Sequence, residues 1–264
     1  MTDYQAPADL LANKTILLTG ASDGIGKVLA GSLADHGATV ILLGRSQEKL
    51  EAIYDEIESR HPGRVIIHPL DFKTAGEQDY KLLAESLEEQ FPRLDGLIHN
   101  AGLLGARSPI EYYPEKDWQD LMQVNVNAAF YLTRALLPSL TRSEDARLLF
   151  TSSSVGRKGR AYWGAYAVSK FAVEGLMQTL ADELAATSNI KVNSFNPGGT
   201  RTEMRRAAYP AENPESVPSA ESLMPAYLFL FSEEAAGIHG QALNAREFDP
   251  AQWQQLGSAF SDKE

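Results

Sequence analysis

One joint in the chain restricts its fold more than any other. A strand-like run, Thr15-Ile16-Leu17-Leu18-Thr19, passes within a few residues into a helical pattern from Ile25 to His36. The passage reads Thr19-Gly20-Ala21-Ser22-Asp23-Gly24-Ile25-Gly26, a G-x-x-x-G-x-G spacing. Gly20 permits a tight turn, Gly24 leaves room for an anion to reach the backbone, and Gly26 lets helix and strand pack closely. The helix start also offers free N–H groups and the positive end of its dipole, which together favour a phosphate. Glycines gather in turns for steric reasons alone. Their place between a strand and a helix is what gives this set meaning.

The rest of the chain repeats that alternation. Further strands are expected at Thr39–Leu43, Val65–Ile67, Leu97–Ile98, Leu148–Phe150, Ile190–Phe195 and Gln241–Leu243. Ser46 is placed to cap a helix running to about Arg60, and Thr74-Ala75-Gly76-Glu77 has the form of a capping box opening a helix to about Gln90. Long helical patterns cover Trp118–Thr141 and Tyr162–Thr187. Apolar strands joined by helices predict an α/β fold: a Rossmann-like, doubly wound, seven-stranded parallel sheet with helices on both faces. With no repeat or linker, residues 1–264 read as one domain. Thr200–Pro225, with four prolines, is expected to be a mobile lid over the substrate.

Composition removes several functions. The net charge of −11 disfavours nucleic acid as a partner. The absence of cysteine excludes disulfides and thiolate metal sites, and no metal is expected. Apolar stretches such as Ala226–Phe231 are too short to span a bilayer, and the start lacks the pattern of a signal peptide, so a cytoplasmic protein is expected.

Two further groups of residues carry chemistry. At the end of the second strand, where an acidic residue would grip a ribose 2′-hydroxyl, stand Gly44, Arg45 and Ser46. A guanidinium beside a hydroxyl and a helix start suits a 2′-phosphate, so NADP(H) is expected to be preferred over NAD(H), although Asp23 in the glycine turn argues mildly the other way. Tyr166 and Lys170 are four residues apart on a helical stretch and share a face. Ser153 lies thirteen residues before Tyr166, just past a strand, and Asn125 lies within the preceding helical pattern. A free tyrosine titrates near ~10. The Lys170 ammonium is expected to lower that value and ready Tyr166 for proton exchange.

The glycine spacing and the Asn125, Ser153, Tyr166, Lys170 set resemble the short-chain dehydrogenase/reductase family over nearly the whole chain. The strings Ala21–Gly26, Leu94–Gly105, Met122–Asn127, Thr151–Arg157 and Asn196–Thr202 are most similar to its YciK-type bacterial oxidoreductases. The resemblance implies hydride transfer between NADP(H) and a small-molecule carbonyl or alcohol. Tyr166 would act as proton donor or acceptor, Ser153 would hydrogen-bond the substrate oxygen, Lys170 would hold the nicotinamide ribose, and Asn125 would anchor a water. It also implies cofactor contacts from Gly20, Ser22, Asp23, Gly24, Ile25 and Gly26, from Arg45 and Ser46, from Asp71 and Phe72 near the adenine, and from Asn100, Ala101 and Gly102. Pro197, Gly198, Thr200 and Thr202 would contact the nicotinamide, and a homo-oligomer, dimer or tetramer, would form through the helix at Ala165–Leu184 and its predecessor. Leu103, Leu104 and Trp163 are placed to line a substrate pocket. The sequence departs from the family at His99, where a second Asn is usual, and at Leu243-Asn244-Ala245-Arg246-Glu247, where many relatives carry Asp-Gly-Gly. Two other functions stay open: a catalytically silent NADP(H)-binding sensor, and a sugar-nucleotide epimerase or dehydratase. Sensors commonly lose the tyrosine or lysine, and both are present.

Overall fold

The computed structural model describes residues 4–258, so the two ends of the expected 1–264 domain lie outside the described residues. Its centre is a seven-stranded sheet: β1 (Thr15–Thr19), β2 (Thr39–Gly44), β3 (Val65–Pro69), β4 (Gly96–His99), β5 (Arg147–Thr151), β6 (Lys191–Asn196) and β7 (Ala242–Asn244). The order is β3-β2-β1-β4-β5-β6-β7, and all six pairings are parallel. The chain reverses its direction of travel across the sheet between β1 and β4, and this opens a crevice at the carboxyl ends of the strands.

Strand side chains alternate between two cores. Ile16, Leu18, Val40 and Leu42 pack on one face with α1 (Gly24–Asp35), α2 (Gln47–Arg60) and α8 (Met224–Phe229). Leu17, Ile41 and Leu43 pack on the other with α3 (Glu77–Gln90), α5 (Ala128–Thr141) and α6 (Gly164–Leu184). Each such leucine or isoleucine contributes roughly 1.5–3 kcal/mol by leaving water. One charge lies inside this apolar sheet. Arg147 on β5 is fully buried, and it donates to the carbonyls of Leu230 at 3.0 Å and Ser232 at 3.3 Å and pairs with Asp145.

The helices depart from expectation in three places. The Thr74–Glu77 capping box does not form. The Asp79 carboxylate instead accepts the Gly76 N–H at 2.7 Å, so α3 starts at Glu77. The helix expected over Trp118–Thr141 runs without a gap from Glu115 to Thr141, but a π turn over Gln123–Asn127 divides it into α4 (Glu115–Met122) and α5. At that turn the Ala128 N–H reaches the Gln123 carbonyl, five residues back, which inserts an extra residue at Asn125. The stretch Thr200–Pro225 is not irregular throughout. It holds α7 (Glu203–Ala208) and two short 3-10 turns, and Pro214 and Pro225 stand at the starts of helical turns, where proline fits. A ninth helix, α9 (Pro250–Ser258), follows β7. Among the described residues no helix is long and apolar enough to cross a membrane.

Candidate active site

A cleft of about 590 Å³ runs across the carboxyl ends of the strands. Its walls contain Gly20, Ser22, Asp23, Gly24, Ile25, Arg45, Ser46, Asp71, Phe72, Asn100, Ala101, Gly102, Ser153, Tyr166, Lys170, Pro197, Gly198, Thr200 and Thr202. Two residues read from the sequence lie beneath it rather than on it: Gly26 and Asn125. Leu103, Leu104 and Trp163 do line it.

The glycine turn is shaped by close packing. A Cβ on Gly26 would sit 2.1 Å from the Gly20 carbonyl oxygen, so α1 can approach the turn only without one. Asn100 clamps the same turn by donating to the carbonyls of Thr19 and Gly20 at 3.3 and 3.2 Å. Asp23 is the N-cap of α1 and accepts the Gly24 N–H at 2.6 Å. Its other oxygen is 3.7 Å from Lys49 Nζ, on the first turn of α2. The mild objection that Asp23 raised is therefore met by a counter-charge. Arg45 is exposed at the cleft and forms no ion pair with a described residue, and Ser46 caps α2.

Lys49 was missed in the sequence, as were Lys73, Met204 and Ala208 on the cleft wall. Lys49 had a signal: it lies three residues after Ser46, in the first turn of the helix that Ser46 is placed to cap.

At the other end, Tyr166 and Lys170 project from α6 and are both buried. Burial pushes the Tyr166 phenol up to about 12, and a hydrogen bond with Ser153 opposes that rise. The expected lowering by Lys170 is not the governing effect in this structure. Lys170 itself is pushed down to about 8 by burial, while the Glu174 carboxylate raises it. Lys170 Nζ donates to the Thr151 carbonyl at 2.7 Å and stands 5.6 Å from the centre of the Tyr166 ring. The turn carrying Ser153 can lie against this helix because residue 156 is glycine: a Cβ there would meet Lys170 Cβ at 2.7 Å.

The choice among three adjacent serines follows from their partners. The Ser152 hydroxyl donates to buried Glu174, which also binds Ser194 at 2.7 Å and Arg157 at 3.0 Å. Ser154 is exposed and off the cleft wall. Only Ser153 both lines the cleft and bonds with Tyr166.

Asn125 spends its side chain elsewhere. Its Oδ1 accepts the Leu103 N–H at 2.7 Å, and its Nδ2 donates to the Leu103 carbonyl at 3.0 Å and to Ser169 Oγ at 3.1 Å. These contacts hold the loop after β4, a role beyond the water that the resemblance implies for Asn125. His99 is buried, stacked on Phe150, and 2.8 Å from Thr133 Oγ1. Burial and the nearby Lys170 push it down to about 3, so it is a neutral packing residue. In place of an Asp-Gly-Gly turn, Asn244 accepts from Arg157 at 2.7 Å, and Arg246 donates to the Gly199 carbonyl beside the expected nicotinamide turn.

The comparisons agree with this geometry. The sequence matches the short chain dehydrogenase family over residues 14–213. It is 49% identical over 243 residues to the uncharacterized oxidoreductase YciK of Escherichia coli (strain K12), covering 92% of this chain and 96% of that protein. A short chain dehydrogenase structure from Pseudomonas syringae superimposes with a TM-score of 0.90 at 55% identity, covering 93% of this chain and 99% of that one. Another, from Escherichia coli CFT073 and complexed with NADPH, gives 0.88 at 49% identity, covering 90% of this chain and 99% of that one. The fold, the cleft and these matches together establish that the chain belongs to the short-chain dehydrogenase family of oxidoreductases.

Proposed function

We propose that this protein catalyses reversible hydride transfer between NADP(H) and a carbonyl or alcohol substrate. One observation carries the reading: a single cleft joins the glycine turn and the unpaired Arg45 at one end to the Ser153–Tyr166 pair at the other. The residues present suit the dinucleotide. The turn leaves the α1 N-terminus open to a pyrophosphate, and Arg45, Ser46 and Lys49 converge where a 2′-phosphate would lie. Bound there, the nicotinamide supplies or accepts the hydride.

The chain's own residues manage the proton and the charge. In reduction, Tyr166 gives its phenolic proton to the substrate oxygen as the carbonyl carbon becomes C–H. Ser153 donates a hydrogen bond to the same oxygen and stabilises its growing negative charge. Lys170 holds a positive charge beneath the ring and offers donors to the cofactor ribose. In oxidation, Tyr166 takes the hydroxyl proton. The stretch 200–225 closes over the substrate as a lid, with α7 on the cleft wall. The outward faces of α5 and α6, where Phe130, Val168 and Phe171 are exposed, pair with a second copy in a homo-oligomer.

The test is NADPH oxidation, followed by absorbance, across a panel of ketones and aldehydes, with Tyr166→Phe as control. Turnover by the wild type and a loss of about 10²–10⁴-fold in the variant are expected, with NADPH binding retained. NADPH binding with no turnover of any compound would instead support a sensor.

A further inference from the structure

The substrate end of the cleft is largely apolar, and the arginine on its wall is already paired. Leu103, Leu104, Trp163, Met204 and Ala208 line it beside Tyr166. Four of these five pack together around the catalytic tyrosine, with the Trp163 and Tyr166 ring centres 5.6 Å apart. The polar groups facing the reacting oxygen are the hydroxyls of Ser153 and Tyr166.

The sequence places Arg201, Arg205 and Arg206 next to this wall, as if to draw in an anion. The structure occupies all three. Arg206 pairs with Glu203 at 2.5 Å and Arg201 with Glu215 at 3.1 Å. Arg205, the one that reaches the cleft wall, is gripped at both ends by Glu212, Nε to Oε2 at 2.7 Å and Nη2 to Oε1 at 2.6 Å. Its guanidinium also lies 3.8 Å from the centre of the Tyr209 ring. A two-pronged pair uses the directed N–H groups that a substrate carboxylate would need. Arg107 and Arg160 stand off the cleft wall. Arg107 donates to the Ala208 carbonyl at 2.7 Å and covers Trp163 at 4.4 Å, and Arg160 donates to the Tyr209 hydroxyl at 2.9 Å.

We infer that the substrate is an uncharged, predominantly apolar carbonyl compound, and that Glu212 sets this preference by neutralising Arg205. The inference rests on the hydride-transfer reading above and narrows it. An apolar ketone gains by leaving water for this wall. A carboxylate or phosphate entering the same place loses its hydration, and the guanidinium on that wall, Arg205, is already held by Glu212. A polyhydroxylated ketone likewise leaves its hydroxyls without partners.

The experiment compares methyl benzoylformate, benzoylformate and a neutral ketosugar as substrates with saturating NADPH. For the wild type, kcat/KM for the ester should exceed that for the acid and for the sugar by at least about tenfold. Glu212→Gln frees Arg205 and should raise kcat/KM for the acid about tenfold while leaving the ester within about twofold, an internal check that the lid still folds. A wild type that prefers the acid or the sugar overturns the inference and leaves hydride transfer standing. An unchanged acid rate in the variant overturns the role of Glu212. No turnover of any of the three, with NADPH bound, overturns the inference together with the reading beneath it.

Discussion

Asn125 grips both backbone polar groups of Leu103, accepting its N–H at 2.7 Å and donating to its carbonyl at 3.0 Å. A side-chain amide thus replaces a missing strand neighbour for the loop after β4, at the point where that loop passes the cleft. Asn125→Ala leaves these part-buried groups without their side-chain partner and should cost on the order of 1–3 kcal/mol. Urea unfolding with the KM for substrate checks this: both should worsen. A variant of unchanged stability would return the residue to a purely water-holding role.

The 2′-phosphate reading is tested by a ratio. Arg45→Ala should weaken NADPH binding by about tenfold or more and leave NADH nearly unchanged, because a charge-assisted contact is worth about 1.5–3 kcal/mol. Lys49→Ala should move the ratio the same way, by less, and more so with Asp23 present than in Asp23→Asn. Titration of both cofactors against the wild type, the three single variants and the Asp23→Asn/Lys49→Ala double variant decides it. An NADPH:NADH affinity ratio unmoved by Arg45→Ala removes that residue from the site.

Lys170 should cost stability while serving catalysis. Burial lowers its folded-state value to about 8 from 10.5, so between those pH values the unfolded chain binds more protons than the folded one. Stability from this group therefore rises with pH across that window, and the penalty is full below pH 8. Lys170→Met should be inactive yet melt higher at pH 7, by at least about 2 °C, with the gain shrinking as pH rises towards 10. Scanning calorimetry at pH 7 and pH 9.5 measures the difference. A variant less stable at both pH values contradicts it.

The raised Tyr166 value gives the two reaction directions opposite pH behaviour. Reduction needs the phenol protonated, and oxidation needs it ionised. With burial holding it up to about 12, the phenol stays protonated from pH 6 to 10. Reduction should therefore fall only as Lys170 loses its charge above about pH 8, whereas oxidation should climb with pH. Initial rates in both directions from pH 6 to 10 test this. Oxidation that is flat over that range would mean that Tyr166 is not the base.

Phe171 is 47% exposed on α6, with Val168 beside it, and the proposed subunit contact needs both. Light scattering of the wild type should give at least twice the 28.9 kDa chain mass, and Phe171→Glu should shift it towards the monomer. A wild type of 28.9 kDa at micromolar concentration ends the proposal.

The sheet was legible because each strand is a short apolar run, and the glycine turn because its spacing is steric. Other features were hidden for identifiable reasons. The π turn at Asn125 leaves the helical periodicity on either side nearly intact, so one extra residue passes unseen. Thr74 has the right chemistry for a cap, but Asp79 competes for the same start and its carboxylate is the stronger acceptor. The pairing of Arg205 with Glu212 spans seven residues across a turn, beyond the helical spacings that a sequence exposes. The proton affinity of Tyr166 depends on burial, which distant segments supply together.

Arg147 ties the centre of the sheet to residues more than eighty positions further along the chain, through the carbonyls of Leu230 and Ser232. Until those carbonyls are in place, Arg147 has only its near neighbour Asp145 as a partner. The matched family region stops at residue 213, short of both acceptors, so a protein cut there would keep Asn125, Ser153, Tyr166 and Lys170 yet leave Arg147 without either backbone partner.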